Sequence, residues 1–189
     1  MGIRCFVALE LPDDLKRNIH DQTAELRAIS RSVKWVSQQN LHITLKFLGD
    51  TDEAMLGGIE AALKQAAGSH KQFSISFEGL GAFPNLKRPR VFWIGERGAE
   101  PLVRLQKDVE ASLAALGFEP EERAFRPHLT IGRAKDIRPI EARKLADYME
   151  KSPPAQYGEM VVSGICLMRS DLRPQGPIYT RLVSSQLAQ

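Results

Sequence analysis

The chain contains 189 residues, of which 43% are hydrophobic and 26% are charged, and its formal net charge is +3. This composition is typical of an ordinary globular protein with one substantial core, so we expect a single domain over residues 1–189. The charge excess is too small to indicate a polyanionic partner by itself, which means that any basic site must be local.

Cysteine usage and the N-terminal segment indicate the cellular setting. Cys5 and Cys166 are the only cysteines and both lie in apolar runs, which excludes a disulfide framework and a four-ligand structural zinc site. The first apolar stretch spans only about seven residues, which is too short for a membrane span or a typical secretion signal. We therefore expect a cytoplasmic protein in a reducing environment, without membrane association.

Apolar periodicity predicts the elements of the first half of the chain. Alternation predicts a strand at residues 3–9, and helical spacing predicts a long helix from Asp13 to about Ser30. The elements expected next are a short strand near 33–36, a polar turn at 38–40, a strand at 41–48, and a helix that begins with a capping-box pattern at Asp50 and Glu53 and runs to about Ala67.

The second half alternates predicted strands with helices and begins with a strand in which Phe73, Ile75 and Phe77 share one face. The elements expected next are the loop PNLKRPR at 84–90, a strand VFWIG at 91–95, a helix from Pro101 to about Leu116, a short strand HLTIGR at 128–133, a helix at 139–150, and two C-terminal strands within 158–168 and 177–183. Strands joined by hairpins and helices, without regular βαβ alternation, favour an α+β fold with antiparallel sheets.

A repeated motif carries the chemistry. LHITLKFLGD at 41–50 and PHLTIGRAKD at 127–136 share a histidine, an apolar residue, a threonine and another apolar residue in the same order. Each copy is followed by a predicted helix, which suggests an internally duplicated, two-lobed fold with pseudo-twofold symmetry.

Strand alternation places His42 and Thr44 on one face, and His128 and Thr130 on the corresponding face of the second copy. Two imidazoles that converge on one phosphate supply a base to deprotonate water and an acid to protonate a departing ribose oxygen. The threonine hydroxyls can donate to the phosphate oxygens as negative charge accumulates. The duplication thus favours catalysis over two unrelated polar strand faces.

The chain resembles the two-histidine phosphoesterases, and within them the LigT-like RNA 2′,3′-cyclic phosphodiesterases, formerly called 2′-5′ RNA ligases. The segments that carry this resemblance run almost from end to end: RCFVALEL, HITLKFLG, FPNLKRPRVFWIG, FRPHLTIGR and ICLMRSDLRPQGPIY. The resemblance implies metal-independent hydrolysis of a terminal 2′,3′-cyclic phosphate to a 2′-phosphomonoester, without a cofactor. It implies RNA ends or cyclic nucleotides as substrates.

The resemblance also implies site residues. His42, Thr44, His128 and Thr130 form the expected catalytic set, with His42 as acid and His128 as base, although the similarity of the motifs allows the roles to be exchanged. Arg133 matches an arginine that follows the second motif, yet on a regular strand it would face away from His128, and only a bend or strand end at Gly132 would let it reach the phosphate.

Other candidate binding residues have two open interpretations. The resemblance places the strand of Phe6 beside a central groove between the two lobes. Phe6 either has a role in that groove, as a base-stacking ring or as its floor, or simply packs in the core. Lys87, Arg88 and Arg90 either bind RNA phosphates or belong to a solvated loop. On a regular strand Lys46 would share a face with His42, and it is a weaker candidate for contact with the phosphate.

Three other functions remain open. The chain could be a non-catalytic module that binds RNA ends, a reversible 2′-5′ RNA ligase, or a metallohydrolase in which the two histidines are ligands. The metal hypothesis lacks a carboxylate or third histidine near either motif, so we expect no metal site. We expect a monomer.

Overall fold

Within residues 2–153 and 155–189, which are those that the structure describes, this computed structural model contains nine strands and five α-helices. The strands are β1 (Gly2–Glu10), β2 (Lys34–Trp35), β3 (His42–Asp52), β4 (Phe73–Phe83), β5 (Val91–Arg97), β6 (Leu129–Arg133), β7 (Gln156–Val162), β8 (Gly164–Arg173) and β9 (Gly176–Gln186). The helices are α1 (Asp13–Gln22), α2 (Ala24–Ile29), α3 (Leu56–Gly68), α4 (Glu100–Ala114) and α5 (Pro139–Lys151).

The strands form two antiparallel sheets, which confirms the predicted α+β class. One sheet has four strands in the order β3-β1-β8-β9, and the other has five in the order β2-β6-β5-β4-β7. Helices α3 and α4 contact the four-stranded sheet, whereas α1 contacts β7 of the five-stranded sheet and α2 contacts α5. One continuous cluster of buried apolar side chains joins both sheets to their helices. No helix in the described ranges has the length and apolar character needed to cross a bilayer.

The first predicted helix is interrupted. It divides into α1 and α2 at Thr23, where the hydroxyl donates to the carbonyl of Ile19 at 2.7 Å. A threonine side chain that bonds to the backbone four residues earlier competes with helical geometry and bends the chain. The apolar spacing persists across this break, which is why the sequence pattern suggested one helix.

The strand that carries the first motif is longer than predicted. It continues to Asp52, because Gly2 to Arg4 of β1 extend the antiparallel ladder opposite Asp50 to Asp52. The predicted capping box at Asp50 and Glu53 is therefore wrong. Instead, the carboxylate of Asp52 accepts from the Ala54 amide at 3.1 Å and begins a short 3₁₀ turn before α3.

The C-terminal region contains three strands instead of two. The predicted strand at 158–168 is broken at Ser163, between β7 of the five-stranded sheet and β8 of the four-stranded sheet. Gly164 permits this crossing, because a Cβ there would lie 2.8 Å from the Ser185 carbonyl oxygen. A continuous apolar run gave no sign that its two parts belong to different sheets.

A β-bulge rotates β3 directly after its motif. Ala8 pairs with Thr44 but Val7 pairs with Lys46, so Leu45 has no partner residue on β1. The alternation of faces shifts by one residue at such a bulge. Lys46 therefore faces the core side, and the expectation that it shares a face with His42 is wrong.

Lys46 connects three parts of the fold. Its side chain is 3% exposed, and its ammonium group donates to Glu110 of α4 at 2.5 Å and to the Glu119 carbonyl at 2.8 Å. Glu119 lies in the segment that leads to the second motif. This buried ion pair thus ties the first motif strand to α4 and to the approach of His128.

We expect Lys46→Ala to lower the free energy of unfolding by on the order of 3 kcal/mol, because it leaves the Glu110 carboxylate without its buried partner. Urea denaturation measures the change. Arg97→Ala is the matched control, since Arg97 pairs with Glu78 but is 75% exposed, and an exposed pair contributes roughly 0–1 kcal/mol. Equal losses in the two variants would contradict the structural role of Lys46.

Candidate active site

The two motifs meet where the sheets meet. β3 is the edge strand of the four-stranded sheet, β6 lies next to the edge of the five-stranded sheet, and these two strands contact each other. Because Arg133 acts electrostatically on both His42 and His128, the two motif faces lie on the same side of this junction, which we call the groove. The predicted strand alternation holds up to each threonine, so the histidine and threonine of each motif point to the same side.

The first motif is held by two hydrogen bonds. Nδ1 of His42 lies 2.7 Å from the Asn40 carbonyl oxygen, and Nε2 lies 3.1 Å from the Thr44 hydroxyl. A carbonyl oxygen can only accept, so Nδ1 carries the hydrogen and Nε2 has the free lone pair when the ring is neutral. Thr44 then donates to Nε2.

The second motif repeats the first of these two hydrogen bonds. Nδ1 of His128 lies 2.7 Å from the carbonyl oxygen of Arg126, two residues earlier, as Asn40 is two residues before His42. The same reasoning makes Nε2 the reactive nitrogen of His128. Both imidazoles are therefore fixed in one tautomer by their own chain, before any substrate enters.

One aromatic ring meets each histidine edge to face. Tyr179 contacts His42 and Phe83 contacts His128, each with ring centroids 5.1 Å apart and an interplanar angle of 87°. Such contacts restrict the rotation of the imidazoles.

Phe6 lies beneath the first motif. It is 3% exposed, and its ring is 4.9 Å from His42 and 5.0 Å from Tyr179. Together with Ala8, Cys166 and Met168 it forms a small buried cluster on the groove face of the four-stranded sheet. This burial fits packing, either in the core or as the floor of the groove, and it does not fit base stacking, because no ring face is open to a base.

Arg133 reaches the groove through a second bulge. Trp93 pairs with Thr130 but Phe92 pairs with Gly132, so Ile131 is the extra residue, as Leu45 is in the first motif. Arg133 consequently lies on the same face as Thr130, and not on the opposite face expected for a regular strand. Gly132 lies against Trp35, where a Cβ would approach the indole to 2.6 Å.

The environment favours the neutral form of both histidines. Burial is the main cause that lowers the pKa of His42 and of His128 below the ordinary value, and the positive charge of Arg133 lowers both further. The hydrogen bonds to the carbonyl oxygens of Asn40 and Arg126 raise the pKa of His42 and of His128, respectively, but by less than burial lowers it. Because Arg133 affects both rings, its guanidinium lies within electrostatic range of both histidines.

Phe47 is a groove residue that the sequence did not indicate. It pairs with Phe6 after the first bulge, so it shares the face of His42 and Thr44, and it is 62% exposed. Each of Phe47 and Arg133 follows the threonine of its motif by three positions. Strict alternation from Thr44 would place Phe47 in the core, which is why an aromatic residue there gave no functional signal.

The basic loop lies beside the second motif. Lys87, Arg88 and Arg90 are exposed between β4 and β5, and the Asn85 carboxamide oxygen accepts from the amides of Lys87 and Arg88 at 3.1 and 3.0 Å. The loop begins directly after Phe83.

Among residues 2–153 and 155–189, no group of three or more His, Cys, Asp or Glu side chains comes close enough to hold a metal ion.

Comparison with known proteins gives consistent matches. Residues 12–174 match the family model of the 2′-5′ RNA ligase superfamily. The chain is 38% identical to the RNA 2′,3′-cyclic phosphodiesterase of Methanothermobacter thermautotrophicus, over 95% of this chain and 96% of that protein. It is 41% identical to the RNA 2′,3′-cyclic phosphodiesterase of Archaeoglobus fulgidus, over 95% of this chain and 98% of that protein.

Solved structures share the fold. The crystal structure of E. coli LigT complexed with 3′-AMP matches this chain with a TM-score of 0.78 at 26% identity. The match covers 100% of this chain and 100% of that chain. The crystal structure of TT0787 of Thermus thermophilus has a TM-score of 0.81 at 31% identity, over 98% of both chains.

We expect Arg133→Ala to raise the pKa of both His42 and His128, because it removes a positive charge that opposes protonation of each ring. NMR titration of the two imidazole Cε1 protons measures both values. Arg126→Ala is the control, since it removes an exposed arginine near His128 while keeping the carbonyl that holds Nδ1. If the pKa of only one histidine rises in Arg133→Ala, the charge of Arg133 does not act on both rings.

Proposed function

Because this chain belongs to the 2′-5′ RNA ligase superfamily, we propose that it is an RNA 2′,3′-cyclic phosphodiesterase in which His42 and His128 are the catalytic acid and base. The observation that carries this proposal is the matched pair of motifs, each with Nδ1 of its histidine 2.7 Å from the carbonyl oxygen two residues earlier. That contact directs both reactive Nε2 atoms away from their own backbone.

Hydrolysis requires one proton to be removed and one to be supplied. Nε2 of the neutral histidine takes a proton from water, whose oxygen attacks phosphorus, and the bond from phosphorus to the ribose 3′ oxygen breaks. Nε2 of the protonated histidine delivers its proton to that oxygen. The product is a 2′-phosphomonoester, and the two histidines have exchanged protonation states. The equal carbonyl contacts allow either ring to begin as the base.

Charge on the phosphate is stabilised by groups on the same two strands. Thr44 and Thr130 place hydroxyls beside their histidines, where they can donate to non-bridging oxygens. The Arg133 guanidinium adds a positive charge whose attraction for the phosphate strengthens as negative charge accumulates there. Once phosphate is bound, its charge opposes the effect of Arg133 on the histidines and favours the protonated form of one ring.

The surroundings of the phosphate site support an RNA end as the substrate. The exposed ring of Phe47 offers a surface on which a base can stack, whichever base it is. Lys87, Arg88 and Arg90 extend positive charge beyond His128.

Both motifs come from one chain, which supports a single-domain monomer as the active form. The buried free thiols of Cys5 and Cys166 support a location in the reducing cytoplasm.

We expect His42→Ala and His128→Ala each to lower kcat by roughly 10²–10⁴-fold on nucleoside 2′,3′-cyclic phosphates, because each removes one proton-transfer group. Thr44→Ala and Thr130→Ala should lower kcat less, since each removes only one of several groups that can donate to the phosphate. Product analysis should show the 2′-phosphate. His20→Ala is the control, because His20 lies in α1 and contacts Arg27 instead of the groove. Wild-type turnover by a folded His42 or His128 variant would exclude that histidine from the mechanism.

We expect activity to survive exhaustive chelation and kcat/KM to show a bell-shaped dependence on pH. Activity requires one protonated and one neutral imidazole, and the apparent pKa values belong to the coupled pair. Burial and Arg133 lower both pKa values, so the maximum of kcat/KM should lie below the ordinary histidine pKa of 6.5 and move upward in Arg133→Ala. Loss of activity on chelation, restored by a stoichiometric divalent ion, would instead support the metallohydrolase hypothesis.

The name of the matching family favours ligation as a second candidate reaction. An RNA 5′-hydroxyl can replace water as the nucleophile, and the same acid and base would then join it to the phosphate on the 2′ oxygen. Adding RNA with a free 5′-hydroxyl to the hydrolysis assay tests this. A 2′-5′-linked product would support ligation, and its absence at high RNA concentration would restrict the activity to hydrolysis.

A further inference from the structure

A basic hollow lies beyond the second motif. It has a volume of about 630 Å³ and is enclosed by the β4–β5 loop, the segment after β6 and one side of α5. This volume is within the range of roughly 300–1,000 Å³ that is usual for small-ligand sites. None of its lining residues belongs to either His-x-Thr motif.

The hollow carries an excess of positive charge. Five basic side chains and two carboxylates line it, which leaves three positive charges. The charged lining residues are Lys87, Arg88, Arg90, Lys135, Arg143, Asp136 and Glu150. Within the described ranges, none of these five cations is held in an ion pair.

The rest of the lining is apolar. Leu86, Ile137, Pro139 and Ala142 contribute hydrocarbon surface between the charged side chains. A surface that alternates exposed cations with apolar contacts suits a strand of nucleotides, in which phosphates alternate with the flat faces of bases and riboses. An acidic peptide would match the charge but would have less use for the apolar floor.

Backbone hydrogen bonds connect the rim of the hollow to residues of the active groove. Lys135 follows Arg133 by two positions, and the Ala134 amide between them donates to the Arg90 carbonyl at 2.9 Å. The Arg90 amide donates to the carbonyl of Phe83 at 2.8 Å, and the ring of Phe83 contacts His128. An RNA chain that leaves the phosphate site on the His128 side would therefore meet Arg90 and Lys135 first.

We propose that this hollow binds the nucleotides that precede the cyclic phosphate, so that the enzyme prefers RNA ends over free cyclic nucleotides. The proposal rests on the proposed function and extends it to the substrate class. Phosphates contact the basic rim and a base or ribose lies on the apolar floor. Because these contacts are remote from the bond that breaks, they change the binding of RNA without changing the chemistry of a mononucleotide.

The test uses Lys135→Glu/Arg143→Glu, with Lys144→Glu/Lys151→Glu as the matched control. Both double variants change the net charge equally, and the control residues are exposed on the same helix, α5, without lining the hollow. Each protein is assayed with a nucleoside 2′,3′-cyclic phosphate and with an RNA of about ten nucleotides that ends in one, a length within the site sizes known for single strands. Binding of the same RNA with a terminal 2′-phosphate is measured separately by fluorescence anisotropy.

We expect the hollow variant to lose about tenfold in kcat/KM and in affinity for the RNA, while turnover of the mononucleotide stays at the wild-type level. The slope of log Kd against log salt should fall by about 0.7 for each RNA phosphate that the variant no longer binds. The control variant should retain the wild-type preference for RNA. Ala146→Phe, which fills the hollow without changing charge, should also weaken RNA binding selectively.

The outcomes separate the two proposals. Absence of hydrolysis of either substrate by wild-type protein would overturn the proposed function, whereas anisotropy would still report on the hollow. Equal kcat/KM for both substrates with equal affinities in all variants would overturn the hollow proposal alone. Equal losses in the hollow and control variants would also overturn it, because general charge would then explain the binding. Selective binding of an acidic peptide in place of RNA would assign the hollow to a protein partner and overturn it too.

Discussion

The β-bulge that follows each His-x-Thr motif controls which side chains face the groove. A strand alternates its faces strictly, so without a bulge Lys46 would enter the groove and both Phe47 and Arg133 would leave it. With Leu45 and Ile131 as the extra residues, Lys46 instead stabilises the core side through Glu110. Each strand thus places a histidine, a threonine and one further residue at the site.

The further residue differs between the two motifs, and this difference breaks the symmetry of the site. Phe47 brings an exposed apolar ring to the side of His42, and Arg133 brings a charge that acts on both histidines. A cyclic phosphate at the end of RNA has a similar asymmetry, because its ribose carries the anionic phosphate on one side and a flat base on the other. The duplicated scaffold supplies two similar histidine–threonine pairs, whereas these two positions make the two sides of the proposed site different.

Intramolecular contacts fix the positions of the two imidazoles. Each imidazole is held by a carbonyl two residues earlier and by an aromatic edge at 5.1 Å, and Phe6 supports His42 from below. These contacts also bury the rings, which lowers their pKa values. The basic side chains of the β4–β5 loop and of the hollow beside it remain exposed. The structure therefore joins two fixed imidazoles to an open, basic surface.

The sequence by itself determined the antiparallel α+β class, most element positions and the four motif residues, because periodicity and a repeated pattern are local properties. It did not determine the break at Thr23, the crossing at Ser163 or the face of Arg133. Each of these depends on hydrogen bonds whose partners the apolar pattern does not reveal, such as the ladder of β6 with β5. The meeting of Arg90, Lys135 and Arg143 was likewise decided only by tertiary structure, because 53 positions separate the first from the last, and packing of α5 beside the β4–β5 loop brings them together.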